Sequence, residues 1–102
     1  MIDIPLQAIA NQELSIPLDG ARFVLRVKES NGGMVMSITM DDVLLIQNTR
    51  IVGDDYVIPY AYLREGMGNF FMSTQDEAIP TWEEFGVTQF MVYATAAEIE
   101  AA

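Results

Sequence analysis

Cysteine and histidine are both missing from this 102-residue chain. Without cysteine there is no disulfide framework and no thiolate metal site. Without histidine the commonest general base and transition-metal ligand is gone as well, and with it nucleophilic catalysis of the Cys–His or Ser–His kind. The acid–base chemistry left is that of carboxylates, which needs two of them converging on one bond. Positive charge is scarce too: five Lys and Arg stand against fifteen Asp and Glu, for a net charge of −10. Nucleic-acid binding draws on cations to neutralise phosphates, and cytoplasmic leaflets are themselves negative. The balance therefore disfavours specific nucleic-acid binding and membrane insertion. No apolar run approaches the roughly 20 residues that a membrane span requires. The opening "MIDIPLQAIANQ" has an early Asp and lacks the basic stretch of a signal peptide. The expectation is a soluble protein made in a cytoplasm, and by size one domain. At about 100 residues a chain buries somewhat over ~60% of its unfolded surface, enough for a core without staples.

What is present is a succession of short apolar stretches, punctuated by turn residues about every ten positions. In "ELSIPLDGARFVLRV", Leu14, Ile16 and Leu18 alternate with other residues up to Asp19-Gly20. That pair supplies the positive φ angles of a tight hairpin. Beyond it Phe23, Leu25 and Val27 point one way, and Arg22, Val24, Arg26 and Lys28 the other. Pro17 removes an amide donor and marks an edge strand. "SNGG" (Ser30 to Gly33) is the next turn, with Asn31-Gly32 again favouring positive φ. Further strands are expected in "VLLIQNTRIV" (one, or two broken near Asn48), "YVIPY", "FFMSTQ" and "VTQFMVYAT". "AYLREGMGN" is expected to hold an irregular turn. The fold class is all-β: a small antiparallel barrel or sandwich of about six to eight short strands. Its strand-rich core spans about residues 13–95. The tail 96–102 has helical propensity but is too short to be a stable helix alone, and is expected to fray or to rest on a partner.

The stretch "GGMVMSITMDD" sets Met34, Met36 and Met40 on one strand face, with Ile38 completing the row. A soft-metal site needs sulfurs converging on a point. Side chains two apart on a strand are about 6.6 Å from one another along a line, and methionine is a ready filler of irregular gaps. The row is expected to be a core wall, with no metal. The acid pairs Asp41-Asp42, Asp54-Asp55, Asp76-Glu77 and Glu83-Glu84 are neighbours in sequence. On a strand such neighbours point to opposite faces, so they make poor catalytic dyads and good turns. No Gly-rich phosphate loop follows a strand. No cofactor is implied, and no catalytic residue.

Two features point to contacts instead. Arg22, Arg26 and Lys28 fall within seven residues, while from Glu65 onward there are seven acids and no base. Ordinary solvated faces account for this. So does an assembly in which surfaces of opposite sign meet. The second feature is "DEAIPTWEEFG" (Asp76 to Gly86), which holds the only tryptophan. In the plainer reading its aromatics fold back to cap one end of the body. In the functional one Ile79, Pro80, Trp82 and Phe85 meet a partner, tryptophan being enriched at interface hot spots.

The order of these pieces resembles the small baseplate plug proteins of contractile-tailed bacteriophages. The resemblance is carried by "IPL" (Ile4 to Leu6), the "NQELSIPLDGARFVLRV" hairpin, the strand "MVMSITMDDVLL", and "IVGDDYVIPYAYL" after it. It closes with "GNFFMSTQDEAIPTWEEFGVTQFMVYAT", an aromatic strand, an acidic Pro-containing loop and a last strand. It runs from Ile4 to Thr95. It implies a non-enzymatic structural part of the virion, docked at the distal tail tube near hub and spike and assembled in the host cytoplasm. The implied partners are further copies of the chain and other tail proteins. Arg22, Arg26, Lys28 and the Trp82 loop become candidate contacts. The alternative is a stand-alone ligand-binding β module, for a carbohydrate for example, with Tyr56, Tyr60, Tyr62 and Trp82 as stacking surfaces.

Overall fold

The computed structural model describes residues 1–59, 66–75 and 78–101. Among them are eight strands: β1 (Ile2–Ile4), β2 (Asn11–Leu18), β3 (Ala21–Ser30), β4 (Gly33–Met40), β5 (Val43–Arg50), β6 (Asp55–Tyr56), β7 (Asn69–Ser73) and β8 (Phe90–Ala94). They form two antiparallel four-stranded sheets, β2-β3-β4-β5 and β1-β8-β7-β6. The two sheets do not close into a barrel.

The first sheet is a meander made by three two-residue turns. Asp19-Gly20, Asn31-Gly32 and Asp41-Asp42 all have positive φ at both positions, the geometry whose twist matches that of the flanking strands. Aspartate and asparagine tolerate this left-handed region better than other side chains. Asp41 also accepts a hydrogen bond from the Arg22 amide at 2.9 Å, so the third turn is tied to the strand beside it.

Period-two alternation then sorts the side chains. Phe23, Leu25 and Val27 of β3 and Met34, Met36 and Ile38 of β4 are buried, in one cluster with Phe70 and Met72 of β7 and Met91 and Tyr93 of β8. The methionine row is a wall of this core, with Met40 half-buried at its end. Phe23 crosses from one sheet to the other: its ring centroid lies 5.6 Å from Phe70 and 5.7 Å from Tyr93. Phe70 and Tyr93 are 5.2 Å apart, within the span of favourable edge-on aromatic pairs.

Several elements differ from the pattern expected. Ile2–Ile4 forms a strand on β8, too short to declare itself by alternation. Val43–Arg50 is one strand, kinked by two register shifts and by Asn48 at φ 49°. There the Asn48 amide leaves the ladder for the Ser37 hydroxyl at 2.9 Å. Among the described residues of "YVIPY" the strand ends at Tyr56; the Val57 amide still bonds to the Phe70 carbonyl at 2.8 Å, and the side chains of Val57 and Ile58 are buried in the core. The buried Asn69 side chain takes up the Ile58 amide at 2.9 Å and its carbonyl at 3.0 Å. The irregular turn expected at the start of "AYLREGMGN" lies outside the described residues. The tail forms a helix, α1 (Ala96–Ala101). Thr95 and Glu98 exchange amide-to-side-chain hydrogen bonds at 3.0 and 3.2 Å, a capping box that satisfies two orphan donors. The Met1 amino group also bonds to Glu98, which together with the Thr95 amide holds that carboxyl below its ordinary range.

Replacing Phe70 by Ala removes the ring that both Phe23 and Tyr93 lean on. The expected loss is about 3–5 kcal/mol of folding stability, measured by urea unfolding, whereas Val24→Ala on the outer face is expected to cost well under half of that.

Candidate assembly surfaces

The Trp82 segment is pinned to the body from beneath. A 3-10 turn, Trp82–Glu84, follows Thr81. The buried side chain of Gln89 accepts from the Thr81 amide at 2.8 Å and donates to the Ile79 carbonyl at 3.2 Å. The Gly86 amide returns to the Gln89 carbonyl at 2.8 Å. Phe85 is buried in the core and Pro80 is buried as well. Trp82 packs half-buried against the core and donates its indole N–H to Glu29 at 3.1 Å. Ile79, 69% exposed, Glu83 and Val87, 65% exposed, remain on the outside. Of the four apolar candidates in the loop, Phe85 and Pro80 shape the body, while Ile79 and one side of Trp82 are open to solvent. Gln89 carried no signal in sequence, where it reads as an ordinary polar residue within the expected strand "VTQFMVYAT"; that strand starts only at Phe90.

The basic candidates lie on the outer face of β2-β3-β4-β5. Arg22 contacts Asp42 and Arg26 contacts Glu13, each at 2.9 Å, with all four side chains largely exposed. Such exposed pairs contribute little to stability, so their effect is to place charge. The register adds a residue that sequence spacing did not link to them: Lys28, Val35 and Arg50 form one row across three strands. Four of the five bases of the chain thus share one face. Arg50 donates to the Ser30 carbonyl at 3.2 Å. Neither Lys28 nor Arg50 has a carboxylate partner among the described residues. Further along the same face, beyond the Arg26–Ser37 pair, lies a shallow depression of about 220 Å³ between Val24, Thr39 and Leu44, rimmed by Glu13, Arg26 and Gln47.

Of the tyrosines offered for stacking, Tyr56 lies among the described residues. Tyr56 stands on β6, edge-on to Phe71 at 5.3 Å, and Tyr60 and Tyr62 lie outside the described residues. Tyr93 points its hydroxyl to Asp19 at 3.3 Å, at a cavity of about 220 Å³ lined by Leu18, Phe23, Met40 and Met67. Burial first, and the Asp19 charge second, push the Tyr93 phenol up to about 12. Among the described residues no group of three or more acids is placed to hold a metal ion, and no helix is long and apolar enough to cross a membrane.

A family model described as the cyanophage baseplate Pam3 plug gp18 matches residues 1–96. The chain belongs to this baseplate plug family. No curated protein matches it. Membership makes the chain a structural component of a phage baseplate, in the virion tail, in contact with other baseplate proteins.

Gln89→Leu deletes the bonds to Thr81 and Ile79 while retaining bulk. A buried amide and carbonyl left unpaired cost about 1–3 kcal/mol. The expected result is a lower melting temperature and faster amide exchange or proteolysis confined to the segment around Trp82. For Tyr93 the neutral form is the one favoured in the fold. Its contribution to stability is complete below the ordinary value of 10.0 and is lost as pH climbs towards about 12. Absorbance titration at 295 nm should show a late-ionising phenol component that Tyr93→Phe removes.

Proposed function

We propose that this plug sits at the distal end of the tail tube, beside the hub and above the spike, and is held there by side-chain contacts with no catalytic part. The observation that carries the reading is the family match over residues 1–96. The surface chemistry supports it. A body whose core is closed by apolar side chains presents exposed Ile79, Val87, Leu44 and Phe90 beside patches of both charge signs, which suits fixed protein neighbours. Arg22, Arg26 and Lys28 on one face, and Ile79 and Trp82 on the loop, are the proposed partner contacts. Phe85 and Pro80 act on those contacts from below, by fixing the shape of the loop.

A net charge of −10 also suits a plug at the exit of a DNA-conducting tube, because like charge keeps the phosphate backbone from adhering. The virion part is made and assembled in the host cytoplasm.

The test is to mix the purified chain with tail-tube and hub proteins and follow co-sedimentation and electron microscopy. The chain should co-purify with them and appear at the distal end of the tube; a chain that binds neither overturns the reading. Trp82→Ala should fold yet dock poorly. Unimpaired docking would remove that loop from the interface.

A further inference from the structure

We infer that the basic face of β2-β3-β4-β5 seats the acidic loop around the 3-10 turn of a second copy of this chain, in a head-to-tail contact. The two surfaces match in kind. On the face, Lys28 and Arg50 stand in one cross-strand row without carboxylate partners among the described residues. On the loop, Ile79 and Val87 are the exposed aliphatic side chains and Glu83 is an exposed carboxylate between them in sequence. An aliphatic knob with a carboxylate meets a seat of two cations that have no carboxylate partner among the described residues.

Charge selects a second copy as the occupant. Of fifteen acids in the sequence, Glu13, Asp41 and Asp42 belong to the basic face or its turn, which leaves twelve against one base, Arg64, in the rest of the chain. Each copy thus carries one face poor in negative charge and a remainder rich in it, the arrangement for complementary self-contact. Two bodies of charge −10 repel at long range. At physiological ionic strength that repulsion is screened beyond about 8 Å, while local opposite charges act inside that distance.

The placement of the two surfaces also decides what the contact builds. The indole of Trp82 reaches Glu29, the residue after Lys28, so the loop lies around the end of β3 that carries the Lys28–Arg50 row. Head-to-tail contacts between two different surfaces close into rings when the rotation between copies permits and run on as filaments when it does not.

This inference rests on the plug reading only in taking contacts as the purpose of these surfaces, and its test is made on the chain alone. Wild type is expected to sediment at a fixed multiple of the monomer mass. Lys28→Glu/Arg50→Glu, lacking the seat, and Ile79→Ser/Glu83→Ser, lacking the knob, should each lose association by about tenfold or more. Mixed, they should form a one-to-one dimer that grows no further, because one retains the knob and the other the seat. Lys28→Gln/Arg50→Gln replaces the reversal if circular dichroism shows the latter unfolded. A monomeric wild type, variants that keep the wild-type mass, or a mixture that stays monomeric overturns the inference. A monomeric wild type that still docks on tube and hub leaves the plug reading standing.

Discussion

The contact of Phe23 with Phe70 and Tyr93 is the constraint on which the rest of the molecule depends. A four-stranded meander has one apolar face that water will not tolerate, and the second sheet has another. Phe23 is the member of the meander whose ring sits between two rings of the opposite sheet. Around it the methionines fill the remaining space, as unbranched, polarisable side chains do in irregular gaps. The joint also sets where chemistry is absent. The strand face that holds the sulfurs is spent on packing, and the Tyr93 phenol is held neutral by the same burial.

Once the two inner faces are closed, the outer faces acquire their character by default. Every second residue of β3 is left outside, so Arg22, Arg26 and Lys28 necessarily share a surface. The register of β4 and β5 brings Arg50 to the end of the Lys28 row, and Asp42 and Glu13 neutralise the other two bases. A chain of strongly negative overall charge thereby presents a patch where the sign reverses. The Trp82 segment is shaped by a different device, a buried glutamine acting in place of a strand partner. Its outer side is therefore stiff, and a stiff surface loses less entropy on docking than a mobile loop. For a baseplate plug, whose work is to stay where neighbours put it, both features suit the role.

Much of this was legible in advance. The hairpins at Asp19-Gly20, Asn31-Gly32 and Asp41-Asp42 follow from residue types that accept positive φ. The core rows of β3 and β4 follow from strict alternation, and Pro17 lies on an edge strand as its missing donor requires. The order of the pieces also carried the family, which no single motif would have done. Other features were illegible for physical reasons. The strand Ile2–Ile4 exists because β8 offers it an edge. Ile58 leaves the ladder because Asn69, eleven positions away, meets its backbone. The loop candidates divided into buried Phe85 and Pro80 and exposed Ile79 according to Gln89, whose part is invisible without its partners. The helix after Thr95 had a local signal, Thr95 with Glu98 three positions on.

By itself, then, the chain's order of residues determined the longer strands of the first sheet, where they reverse, which side of each is apolar, and which chemistries are ruled out by residues it does not contain. Those are matters of local conformation and of composition, and neighbours in sequence suffice for them. Tertiary structure alone decided which sheet β1 joins, how the Trp82 segment is anchored, and that Arg50 stands in line with Lys28. Each of these is a pairing between distant segments, and its energy exists only once the two sheets have closed on Phe23.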